Sequence, residues 1–197
     1  MKKLLLIPFL FFSLAACSAD DRISDPEIPD QPAGNSNILV AYFSATGNTQ
    51  RVAERIAKLT GADVYRIVAA DPYAANPYDD SDRVRREAYD DLRPGVANLP
   101  AAETIARYDT IFVGSPCWWH QPAMVVCTFL EAYDLGGKTI VPFCSHGGGR
   151  FGQSLTAITK LVPEAVLGEG LAISYSGGSG MPDDVAAWLE QNQIPVV

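Results

Sequence analysis

The chain is short of the residues that most metal, hydrolytic and nucleic-acid sites require. It has two histidines, His120 and His146, and four cysteines in 197 residues. They do not fall at a standard metal-ligand spacing, so no metal site is expected. No Ser-His-Asp set and no paired carboxylates stand out. Basic residues number 15 against 23 acidic ones, a formal charge of −8, which disfavours nucleic acid and anionic lipid as surface partners. There is no G-x-x-x-x-G-K-[ST] and no G-x-G-x-x-G, which excludes a nucleoside-triphosphate loop and a dinucleotide fingerprint. Low-complexity blocks and internal repeats are absent.

The N-terminus reads as an address rather than as fold. Lys2 and Lys3 precede an apolar run from Leu4 to Leu14, too short to span a bilayer stably. Leu14-Ala15-Ala16-Cys17 resembles a bacterial lipobox, so residues 1–16 are expected to be cleaved and Cys17 lipidated, anchoring the protein in the cell envelope. With no Asp after the Cys, the outer membrane is favoured by analogy with enteric bacteria. Cleavage leaves 13 basic against 23 acidic residues, a formal charge of −10. Residues 17–36 carry five acids spaced by Pro26, Pro29 and Pro32, the composition of a disordered tether. Residues 37–197, with 48% apolar residues over the whole chain, are long enough for one domain with a sizeable core.

That domain is organised around its first stretch. Ile38 to Phe43 is unbroken apolar and β-prone, a strand buried on both faces. Ser44-Ala45-Thr46-Gly47-Asn48-Thr49 follows, then Val52, Ala53, Ile56, Ala57 and Leu59 at helical spacing. A strand, a hydroxyl-rich turn and a helix N-terminus bring free backbone N–H groups and three hydroxyls to one point, a cradle suited to a phosphate dianion. The alternative is a Ser/Thr-capped helix in an ordinary α/β domain.

Further apolar runs at Val64–Val68, Thr110–Gly114, Lys138–Cys144 and around Leu171–Ile173 give five strands separated by helical segments. Helices are expected over Met124–Leu130, Phe151–Leu161 and Pro182–Gln191. Asp79 to Leu92, with Arg83, Arg85, Arg86 and Glu87, reads as a solvated surface helix, although Tyr73, Tyr78 and Tyr89 leave open that it covers part of a ligand site. The third strand runs into Ser115-Pro116-Cys117-Trp118-Trp119-His120-Gln121-Pro122, read as a loop. Adjacent tryptophans are costly to expose and useful for stacking. The fourth strand runs into Ser145-His146-Gly147-Gly148-Gly149, a loop that lets backbone approach a ligand edge.

The pattern S-x-T-G-x-T, followed by G-x-P-x-W-W and the Gly-rich loop, resembles bacterial flavodoxin-like proteins over roughly residues 37–193. That resemblance implies an α/β doubly wound sandwich with a five-stranded parallel sheet of order 2-1-3-4-5 and FMN at the carboxyl ends of strands 1, 3 and 4. This order and FMN position are those known for flavodoxins. It further implies that Ser44, Thr46 and Thr49, with backbone from Ala45 to Thr49, hold the phosphate. Trp118 or Trp119 would stack on the isoalloxazine, with Trp118 favoured and Trp119 packing on the body. Backbone of Ser115, Pro116, Cys117, Ser145, His146, Gly147 and Gly148 would line its polar edge. His146 is a candidate donor to the ring. Stacking and nearby negative charge imply a low reduction potential. An electron carrier with an unidentified redox partner is expected, with an FMN-dependent reductase of quinones or similar acceptors as the alternative, and a flavin-free binding lipoprotein as a third. Cys117, Cys127 and Cys144 leave any disulfide pairing open.

Overall fold

The computed structural model describes residues 37–74 and 76–197. The expected signal peptide, the lipidated Cys17 and the acidic tether lie outside the described residues. No described helix is long and apolar enough to cross a membrane.

Strand β1 (Ile38–Tyr42) lies inside the sheet with parallel neighbours on both sides, β2 (Asp63–Arg66) and β3 (Thr110–Trp118). Its alternating side chains feed two cores, as a strand covered on both faces requires. Leu39 and Ala41 join one cluster; Val40 and Tyr42 join the other. Beyond β3 lies β5 (Thr139–His146), also parallel. The outer edge of β5 carries two short strands in succession, β6 (Val166–Leu167) and β7 (Leu171–Ser174). Between their pairings β5 advances three residues, Ile140 to Phe143, and the edge advances four, Leu167 to Leu171, a bulge around Gly168 to Gly170. The order is therefore β2-β1-β3-β5, with β6 and β7 at the edge; counting the parallel strands alone, this is the expected 2-1-3-4-5 with the fifth strand in two pieces.

Helix α1 (Asn48–Thr60) buries Val52, Ala53 and Ile56 against one face, beside α6 (Met181–Gln191) with Val185, Trp188 and Leu189. Each such Val, Leu or Ile contributes about 1.5–3 kcal/mol when fully buried. Helices α4 (Met124–Glu131) and α5 (Ser154–Leu161) cover the opposite face through Val125, Val126, Phe129, Leu130 and Ile158. A short helix α3 (Ala102–Ala106) seats Ile105 in that core. The chain thus leaves β1 toward one face and β3 toward the other. Divergent exits between neighbouring parallel strands open a crevice at their carboxyl ends.

Two expectations about the crevice need correcting. Ser115 to Trp118 are strand rather than loop: β5 pairs Ser115 with Cys144 and Pro116 with Ser145, and Cys117 and Trp118 pair with a returning strand. Ser145 and His146 are likewise strand, supported on their other side by Ile173 and Ser174. The Trp pair belongs to a hairpin. β3 turns back into β4 (Gln121–Pro122), with Trp118 opposite Gln121 and Cys117 opposite Pro122.

Candidate functional site

The loop after β1 is shaped by Gly47, whose φ of 83° is left-handed and whose Cβ position meets nothing within 4 Å. A ligand atom therefore has room to approach the backbone there. Gly47 N–H donates to Ser44 Oγ at 3.1 Å, closing the turn. The first-turn N–H groups of α1 have no partner within the helix, and its first turn carries no acid, so the local potential favours an anion. The three expected hydroxyls separate. Thr46 is exposed and lines a cavity with Asn48, whereas Ser44 is buried in the turn. Thr49 is 1% exposed and shares a 2.8 Å hydrogen bond with Ser145 on β5. Ala45 packs against the core.

The cavity is about 460 Å³, within the range of small-ligand pockets, and extends from Thr46 along the carboxyl edge of the sheet. Pro116 to His120 form one wall; Ser145, His146, Gly147 and Gly149 form another. Ser115 is buried behind it, its hydroxyl accepting from Ala123 N–H and donating to Pro116 O. Trp118 is held edge-on by Phe43 and Tyr73, with ring centroids 5.6 and 5.2 Å away. Trp119, expected to pack on the body, is the more exposed of the two at 42% and lies 6.1 Å from Tyr89.

Trp119 and His120 form the hairpin tip at φ 48° and 64°. Positive φ at both positions is the type I′ pattern, which Asn-Gly adopts at little cost and bulky residues adopt at about 1–2 kcal/mol each. Arg150 and Tyr175, also at positive φ, flank the same loops, and Tyr175 lines the cavity. Such strain persists only where surrounding contacts hold it, and it gathers at functional sites. Here Gln153 N–H donates to His120 O at 2.6 Å. Gly152 lies so close beneath His120 that an added Cβ would sit 2.6 Å from that oxygen.

The remaining wall was not legible as such in the sequence. Helix α2 (Ser81–Tyr89) is half-buried rather than solvated: Ser81 and Val84 line the cavity, together with Asn76, Pro77 and Tyr78 before it. Arg83 fixes α2 in place. It donates to Glu87 Oε1 at 2.9 Å and to Asp71 O at 2.8 Å, and its guanidinium stacks 4.2 Å from the Tyr73 ring centroid. Tyr73 donates to Glu87 Oε2 at 2.7 Å; burial first, then this bond, drives its pKa far upward. The chain Arg83–Tyr73–Trp118 thus couples the helix to the hairpin. The one available signal was Val84 and Ala88 at i, i+4, beside the Arg83–Glu87 pair.

The crevice holds no reactive thiolate. Cys117, Cys127 and Cys144 are all free thiols. Burial raises the Cys117 pKa, partly offset by the Ser154 hydroxyl and the His120 backbone, and pushes Cys127 and Cys144 up to about 12. His146 moves the other way. Burial first, then the Arg150 cation, lower its pKa, so the imidazole is neutral at pH 7. A second cavity of about 300 Å³ lies beyond the hairpin, between α4 and α5. Its Arg93 is already engaged by Glu131 and Asp91.

The sequence model of the flavodoxin family matches residues 37–192. The chain belongs to the flavodoxin family. Among solved structures, one from Bacteroides eggerthii, provisionally described as a flavoprotein, is 36% identical, with a TM-score of 0.70 over 81% of this chain and 99% of that one. Another from Bacteroides uniformis, described in the same way, is 31% identical, with a TM-score of 0.69 over 79% and 98%. A flavoprotein of Lactobacillus acidophilus in complex with FMN shares the fold at 20% identity, with a TM-score of 0.55 over 77% and 97%. No curated protein matches the chain. In this flavodoxin, the β1–α1 loop, the Trp hairpin and the end of β5 meet at one cavity, as their positions on the sheet require. Of the residues singled out from sequence, Ser44, Ala45, Ser115 and Thr49 support that cavity from behind. Thr46, Asn48, Pro116 to Trp119 and Ser145 to Gly147 face it. Gly148 contributes a backbone bond to His146. His120, Gly149, Tyr175 and the α2 wall join the site beyond the expected set.

Proposed function

We propose that this flavodoxin binds FMN in the cavity at the carboxyl edge of its sheet and serves as an electron carrier. The observation that carries the reading is one continuous cavity joining an anion-ready helix N-terminus to a strained tryptophan hairpin and a Gly-rich edge. The residues present fit the cofactor. N–H groups at the start of α1 and the Thr46 hydroxyl would hold the phosphate, with open space over Gly47 for close approach. Trp118 or Trp119 would cover the isoalloxazine and exclude water, and backbone of Ser145 to Gly147 would orient its polar edge. FMN supplies the redox chemistry; the chain binds, orients and shields it. The FMN-bound Lactobacillus acidophilus neighbour supports this at the level of fold.

We further propose that the domain acts in the cell envelope, anchored through Cys17, on the strength of the lipobox. A Cys17→Ser variant should then move from the membrane to the soluble fraction; retention after a high-salt wash would refute the anchor.

A second reading, an FMN-dependent reductase, has one feature in its favour. Exposed aromatics ring the cavity, with Tyr78 at 78%, Tyr175 at 58% and Trp119 at 42% exposure, a surface on which a flat acceptor could stack. The absorbance spectrum of the purified protein tests FMN. Steady-state oxidation of a nicotinamide donor with a quinone present separates carrier from reductase.

A further inference from the structure

Both histidines of the chain line the same cavity, and one of them is held in a single tautomer. His146 closes β5, where its carbonyl accepts from Tyr175 N–H at 2.8 Å and its backbone is in register with Ser174. Two residues later the chain doubles back, and Gly148 N–H donates to His146 Nδ1 at 3.0 Å. Gly148 makes this possible with a φ of 129°, a conformation that strains any residue with a Cβ. A neutral imidazole has one N–H and one bare nitrogen. With Nδ1 occupied as an acceptor, the proton resides on Nε2, at the opposite end of the ring.

We propose that His146 presents Nε2–H as a fixed, donor-only contact to an acceptor atom, a carbonyl oxygen or imine nitrogen, on the ring bound in the cavity. The proposal rests on the FMN reading and adds a residue that sets the ring's orientation. A flavin's pyrimidine edge carries both acceptors and an N–H donor. A histidine free to exchange tautomers would accept either. One locked by Gly148 accepts only the orientation that brings an acceptor to Nε2. Both the lock and the neutral state come from the chain's own groups, Gly148 N–H and the burial of the ring, so the donor is preorganised. The groups that bear on the ring are Arg150 on the same loop, His120 against Gly149, and Tyr175 beside Gly147. Arg150 reinforces the neutral form.

The test begins with the apoprotein, labelled with ¹⁵N at histidine. At pH 7, His146 should show Nε2 protonated and Nδ1 bare, and its Nε2–H proton should move downfield when FMN is added. Affinity is then read from quenching of flavin fluorescence. His146→Gln, which keeps an N–H donor, should bind FMN within about threefold of wild type, and His146→Ala should lose about tenfold, the upper range for one neutral hydrogen bond. A proton on Nδ1, an unmoved Nε2–H resonance, or equal affinity of His146→Ala and wild type would overturn the role of His146 while leaving FMN binding intact. Wild type that fails to quench FMN would overturn the parent reading, and with it the ring contact.

Discussion

Thr49 Oγ1 and Ser145 Oγ share a buried hydrogen bond of 2.8 Å between the first turn of α1 and the end of β5. It fixes the spacing between the two loops that are proposed to hold opposite ends of one ligand. The sequence pattern predicts a phosphate contact at Thr49, but the side chain is buried behind the loop. Thr49→Val should therefore act on stability. It leaves the Ser145 hydroxyl buried without this partner, at about 1–3 kcal/mol, read as a lower denaturation midpoint. Thr46→Ala removes only a cavity-facing hydroxyl. Its stability should be unchanged within about 0.5 kcal/mol, and FMN affinity should fall by about 1.5–3 kcal/mol, the range for a hydrogen bond to a charged group. Reversal of this pattern in thermal melts and titrations would exchange the two roles.

The hairpin tip offers a trade of stability against binding. Replacing Trp119-His120 by Asn-Gly gives the turn residues that positive φ favours. The double variant should be more stable by about 1–3 kcal/mol and bind FMN more weakly, because the strained pair holds a ring over the cavity. A melt with no gain in midpoint would show that the backbone strain is not stored there.

The thiols should be slow. Burial raises all three pKa values, and Cys127 and Cys144 are pushed up to about 12, far above neutrality. Alkylation of the folded protein at pH 7.5 should label Cys117 first, since it lines the cavity, and FMN should slow that labelling further. Mass spectrometry after timed quenching reads the order.

Acid should weaken the fold through His146. Its folded pKa lies below the ordinary value of about 6.5, so the unfolded chain takes up the proton first as pH falls. Stability is thus unaffected by this group above about pH 6.5 and declines as pH drops from there through the lower, folded value. His146→Gln should flatten that part of the curve of melting temperature against pH.

The frame of the molecule was legible because its signals are local. An apolar run buried on both faces marks β1, and Gly47 and Gly61, both left-handed, bracket α1. The cavity walls were less so. Ser115 to Trp118 read as loop because Pro116 interrupts them; pairing of Ser115 and Pro116 with β5 and of Cys117 and Trp118 with β4, invisible in sequence, makes them strand. The hairpin lacked its usual marker, since Trp-His replaces Asn-Gly at the turn. Helix α2 looked solvated because Arg83 and Glu87 are charged. Their partners, Tyr73 and the carbonyls of Asp71 and Pro72, lie about a dozen residues upstream and come together only on folding.

The proposed site holds FMN by phosphate and ring together. Titration of the apoprotein with FMN and with riboflavin, following tryptophan and flavin fluorescence, tests it most directly. Saturable one-to-one quenching of both signals by FMN is the expected result. Loss of the phosphate contacts should cost riboflavin at least about tenfold in affinity, given about 1.5–3 kcal/mol per hydrogen bond to a charged group. Equal affinity for the two flavins, or no saturable quenching by either, would contradict it.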